Sequence, residues 1–138
     1  MRIIAYALLP LIVADAQIHA QSASKNMAIE TSIENASKHD LDWVRVAWDG
    51  PNFSAGILRV GTFSTDVHLR WPFVPKARLT FVDDKSRERH SIDLSLKAMN
   101  EEIQAGRCRA VTIRILDHDK AEVVSGYPRM SGRKSGPK

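Results

Sequence analysis

Phe63-Ser64-Thr65-Asp66-Val67-His68-Leu69-Arg70-Trp71 is the stretch whose reading decides the fold. Phe63, Val67, Leu69 and Trp71 alternate with Ser64, Asp66, His68 and Arg70, while Thr65 fits either face. Successive side chains of an extended chain point to opposite faces, so this alternation predicts a strand with one buried and one wet side. Upstream, Met27, Ile29, Thr31 and Ile33 alternate with Ala28, Glu30, Ser32 and Glu34, and a turn-rich segment, 35–40, closes that strand. In the next strand, 41–48, Val44, Val46 and Trp48 share one face, and Trp43, Arg45 and Ala47 share the other. Asp49-Gly50-Pro51-Asn52 is a turn, and the strand after it, 53–60, contains Gly56, which marks a bulge or an edge.

Downstream, Pro72 and Pro75 bracket Phe73-Val74 and predict a loop or a crossover between sheets, because proline cannot donate to a ladder. Ala77 to Val82 and Arg89 to Leu94 alternate on either side of Asp83-Asp84-Lys85-Ser86, the pattern of a β-hairpin. Leu96, Met99 and Ile103 form one apolar stripe of a short helix, 96–105, with Ser95 as expected N-cap and Gly106 as the residue that ends it. Val111, Ile113 and Ile115 alternate in a seventh strand, Asp117 to Lys120 turns the chain, and residues 121–124 form the last strand. Eight short strands with frequent turns predict an all-β fold. The expectation is an antiparallel two-layer sandwich, immunoglobulin-like or a partly open barrel, with one short helix between the last strands.

The chain of 138 residues fits one domain. Met1-Arg2, an apolar run from Ile3 and the small residues Ala14 and Ala16 predict a signal peptide over 1–16, with Ala20 a second cleavage site. The apolar run is shorter than the ~20 residues that cross a bilayer. The expected layout is therefore signal peptide 1–16, flexible leader 17–26, β-sandwich domain 27–125 and basic disordered tail 126–138. The expected location is periplasmic or secreted, with no integral membrane segment after processing. Cys108 is the only cysteine, so no internal disulfide forms. Basic and acidic residues balance over 17–125, and the net charge of +4 belongs to Arg129, Arg133, Lys134 and Lys138. A neutral body argues against a nucleic-acid-binding face.

Ile33-Glu34-Asn35-Ala36-Ser37, then Leu41, then Val44-Arg45-Val46-Ala47-Trp48 carry a resemblance, as do residues 77–83, Ser91-Ile92-Asp93-Leu94-Ser95, and Gly106-Arg107-Cys108-Arg109 leading into Val111-Thr112-Ile113-Arg114-Ile115. Together they resemble small exported proteins of proteobacteria without assigned activity. The resemblance implies export, a Gram-negative periplasmic setting and a compact β domain. It implies no catalytic or binding residue.

Nucleophile-elbow, zinc-peptidase and phosphate-loop motifs are absent from the sequence. Cys108 follows the end of the predicted helix, where the dipole opposes a thiolate. Asp117-His118-Asp119, His39-Asp40 and Asp83-Asp84 offer metal donors, but Asp is common in turns because it bonds its own backbone, so no metal and no cofactor are expected. The aromatic segment gives the binding candidates Trp43, Arg45, Phe53, Trp71 and Phe73, some of which the core must claim. Trp43 and Arg45 lie opposite the apolar face of their strand, and both types are favoured at contact hot spots. The expected function is a non-enzymatic binding module for a protein partner or envelope component. A hydrolase acting on envelope material without a recognisable motif, and a structural accessory subunit, are the alternatives.

Overall fold

Among the described residues, eight strands and one helix follow in order: β1 (Glu30–Asn35), β2 (Leu41–Ala47), β3 (Asn52–Leu58), β4 (Phe63–Asp66), β5 (Lys76–Asp83), β6 (Arg89–Ser95), α1 (Lys97–Gln104), β7 (Ala110–Asp117) and β8 (Lys120–Ser125). The structure, a computed structural model, describes residues 26–129. The predicted signal peptide, most of the predicted leader and residues 130–138 of the predicted tail lie outside the described residues.

The strands form two four-stranded sheets, β4-β1-β7-β8 and β3-β2-β5-β6, packed as the predicted all-β sandwich without barrel closure. All pairings are antiparallel except β1 with β7, which runs parallel from Glu30↔Ala110 to Asn35↔Ile115. The chain changes sheet between β1 and β2, β3 and β4, β4 and β5, and after β6. The Pro72–Pro75 segment is one of these crossovers. Ile33, Ile113 and Ile115 from one sheet meet Val44, Val46, Leu79 and Phe81 from the other, all essentially without exposed surface.

The nine-residue strand expected from Phe63 to Trp71 is shorter than its alternation. β4 ends at Asp66 because the Asp66 carboxylate accepts the backbone N–H of His68 at 2.6 Å, which turns the chain. Val67 is consequently 54% exposed, and Phe63 is also exposed, whereas Leu69 and Trp71 are buried. Residues 69–71 then run beside the entry to β1 as an irregular ribbon: Ile29 N donates to Leu69 O, and Trp71 N to Met27 O, each at 2.8 Å.

Ser95 does not cap α1. The N-cap is Leu96, with no side-chain capping bond, and Leu96 itself is buried. The other end behaves as read from the sequence. Gly106 has φ 74°, and its N–H reaches Ile103 O while the Arg107 N–H reaches Glu102 O, both at 3.0 Å. Arg107 also pairs bidentately with Glu102 at 2.8 and 3.0 Å, locking the same turn. From the middle of α1, Asn100 grips the crossover, accepting from Phe73 N at 3.0 Å and donating to Phe73 O at 2.8 Å. Gly126, the first residue of the predicted tail, stays on the sheet: its N–H donates to Ala110 O and its carbonyl accepts from Thr112 Oγ1.

Leu69→Asp should yield no soluble folded protein, since an unpaired buried charge costs several kcal/mol. Val67→Asp, on the same face of an ideal strand, should fold with nearly unchanged urea midpoint. Equal damage from both would mean that β4 continues to Trp71.

Candidate functional site

Leu41 and Val44 are both buried, three residues apart, which a regular strand does not allow. A bulge resolves the conflict. The register of β2 shifts between Leu41 and Val44 against β3, and between Asp42 and Arg45 against β5. Trp43 is the extra residue, at φ 52°, and its side chain is 74% exposed. The left-handed region costs a non-glycine residue roughly 1–2 kcal/mol. Beside it, β3 shifts register around Gly56, whose φ of 68° meets no steric obstacle in glycine. The bulge expected at Gly56 is present, and β3 is also a sheet edge.

A groove of about 420 Å³ lies at this bulged pair, lined among others by Trp43, Arg45, Gly56, Thr80 and Arg89. Among the described residues, no acidic one lines it. Neither Arg45 nor Arg89 has an ion pair or side-chain hydrogen bond among the described residues. A larger depression of about 840 Å³ lies where β5 and β6 meet the start of α1, but Arg78 and Asp93 there already pair at 3.2 Å. Of the predicted binding residues, the structure thus keeps Trp43 and Arg45 on one surface. Phe53, Trp71 and Phe73 are core: all three are buried, and Phe73 stacks on Trp48 at 5.9 Å. Cys108 is buried as well, with its Sγ donating to Ala110 O at 2.9 Å, and burial raises its pKa. A thiol so placed is a poor nucleophile.

The turns treated separately in the sequence converge elsewhere. Asp83, at the end of β5, has no exposed side-chain surface. Its Oδ1 accepts the backbone N–H groups of Lys85 and Ser86 at 2.8 and 3.0 Å. Its Oδ2 meets His39 Nδ1 at 2.6 Å and His118 Nε2 at 2.7 Å. Chiefly the Ser86 N–H, against the opposing effect of burial, holds this carboxyl far below the usual carboxylate range. His39 arrives from the β1–β2 turn, which Asn35 organises. Asn35 donates to His39 O at 2.8 Å and Leu58 O at 2.9 Å, and it accepts from Ser37 N and Ser37 Oγ. His118 arrives from the β7–β8 turn of the other sheet, and its ring stacks flat on His90 at 4.3 Å. His39, Asp83 and His118 therefore bring three atoms of metal-ligating type together.

No family model matches this chain, and no curated protein matches it. Among solved structures, it is similar to an NMR structure of a protein from Eubacterium rectale, at 10% identity and TM-score 0.48, over 72% of this chain and 88% of that one.

Two stability changes should follow from this geometry. Trp43→Gly should raise the unfolding free energy by up to about 1 kcal/mol, because glycine relieves the left-handed strain and little packing is lost. Asp83→Ala should lower it by roughly 3 kcal/mol, since Lys85 and Ser86 N–H lose their acceptor, and Asp83→Asn by less than half of that. Urea denaturation of the three variants checks both.

Proposed function

We propose that the chain is an exported, non-enzymatic binding module that docks an acidic segment of an envelope protein on the Trp43–Arg45–Arg89 groove. The observation that carries this reading is Trp43 itself: a large aromatic side chain held outside the fold, at a backbone angle that costs stability. Strain that persists at an exposed residue is a mark of functional constraint. The groove beside it supplies two arginines with no acid to pair with among the described residues. Tryptophan and arginine together offer apolar area and bidentate carboxylate recognition. The occupant of complementary charge is a peptide segment carrying Asp or Glu next to an apolar residue. The edge of β3 is a poorer platform for adding a strand, because the bulge at Gly56 interrupts its ladder.

Trp48 and Trp71 are buried, so Trp43 dominates the solvent-quenchable tryptophan emission. A panel of Asp/Glu-rich peptides, each with one aromatic or aliphatic residue, should shift that emission in a salt-sensitive way. A Trp43→Ala, Arg45→Ala double variant should keep its circular dichroism spectrum. It should lose its main crosslinked envelope partner, with binding weakened by at least about 2 kcal/mol. A folded double variant that retained every partner of the wild type would remove this surface from consideration.

A further inference from the structure

We propose that His39 Nδ1, His118 Nε2 and Asp83 Oδ2 form a three-ligand site for one first-row divalent cation of the Zn²⁺ type. The site is separate from the Trp43 groove and does not depend on that reading.

The three donor atoms all lie within 4.8 Å of one another. Both imidazoles point a nitrogen at the same carboxylate oxygen, at 2.6 and 2.7 Å. Tetrahedral coordination with metal–ligand distances near 2.0–2.1 Å separates donors by about 3.3 Å, so each contact must open by roughly 0.6–0.7 Å. The rings of His39 and His118 can supply that movement, because both sit on turns and are about 40% and 39% exposed. The same exposure gives a cation a route in and leaves a coordination position to water. In the neutral rings the proton now facing Oδ2 moves to the outward nitrogen through solvent, and each inward nitrogen then presents its lone pair.

The surroundings fix the carboxylate and orient the rings before any cation arrives. Asp83 is fixed by two backbone N–H groups on Oδ1, which leaves Oδ2 as the ligating oxygen. The stack on His90, itself 5.5 Å from Phe81, sets the plane of the His118 ring. The only ion-pair partners of the Asp83 carboxylate are these two histidines, with no Lys or Arg among the described residues. A carboxylate shielded from water is ordinarily paired with a fixed cation or coordinates a metal. Two imidazoles and one carboxylate favour Zn²⁺, Co²⁺, Ni²⁺ or Cu²⁺ over Mg²⁺ and Ca²⁺, which take oxygen donors.

The test is calorimetric titration of the untagged, chelator-treated full chain with Zn²⁺, repeated with Mg²⁺. Saturable binding of a single Zn²⁺ is expected, with a raised melting temperature and no response to Mg²⁺. His39→Gln and His118→Gln should each weaken Zn²⁺ binding at least about tenfold. His68→Gln should leave it unchanged, since that side chain is 89% exposed and faces Asp66 rather than Asp83. Should either Gln variant fail to fold, ¹⁵N imidazole spectra of the wild type still decide. Zn²⁺ must shift Nδ1 of His39 and Nε2 of His118. No saturable binding, binding indifferent to both Gln substitutions, or shifts confined to other histidines would each overturn the proposal.

Discussion

One additional residue in β2 governs the sheet β3-β2-β5-β6. Leu41 must fill the core at one end of the strand, and Val44, Val46 and Trp48 must fill it at the other, yet the two sets have opposite parity. The bulge at Trp43 reconciles them. Its consequence is geometric as well as energetic. The residue that absorbs the mismatch is turned outward, so the chain places a tryptophan on its surface as a by-product of aligning its core. Replacing that residue with glycine would satisfy the backbone better.

A second constraint binds the two sheets at the end where the turns meet. Asp83 terminates β5 by accepting two N–H groups of its own turn, and that commits one oxygen of a shielded carboxylate. The second oxygen then requires partners, and it finds one on the β1–β2 turn and one on the β7–β8 turn. Asn35 positions the first of these turns with all its side-chain donors and acceptors engaged. On the outer face of the other sheet, Arg114 bridges Glu34 at 3.0 Å and Glu122 at 2.6 Å across three adjacent strands. Polar side chains thus align strands at positions where apolar burial alone leaves their register unspecified.

The strand content was legible because apolar side chains recurring at period 2 face the core between the sheets, even in β1, where Ser32 and Glu34 on the opposite face are buried as well. Residues 27–34, 77–82 and 111–115 declared themselves in this way. The same logic overran at Val67, where a single carboxylate-to-backbone bond at Asp66 outweighed a continuing alternation. It also placed the cap of α1 on Ser95, where a good capping residue stands, although the buried Leu96 takes that position. In both cases a local signal was present and a neighbouring interaction won.

The sequence by itself determined the two-layer β architecture, the placement of Trp43 and Arg45 opposite an apolar face, and a bulge or an edge at Gly56. These follow from side-chain periodicity and from the φ angles that only glycine adopts without strain. Tertiary structure alone decided the parallel pairing of β1 with β7, the sharing of Asp83 by His39 and His118, and the assignment of Phe53 and Phe73 to the core. Pairing and convergence join residues as far apart as His39 and His118, and no periodicity along the chain encodes which turns will meet in space.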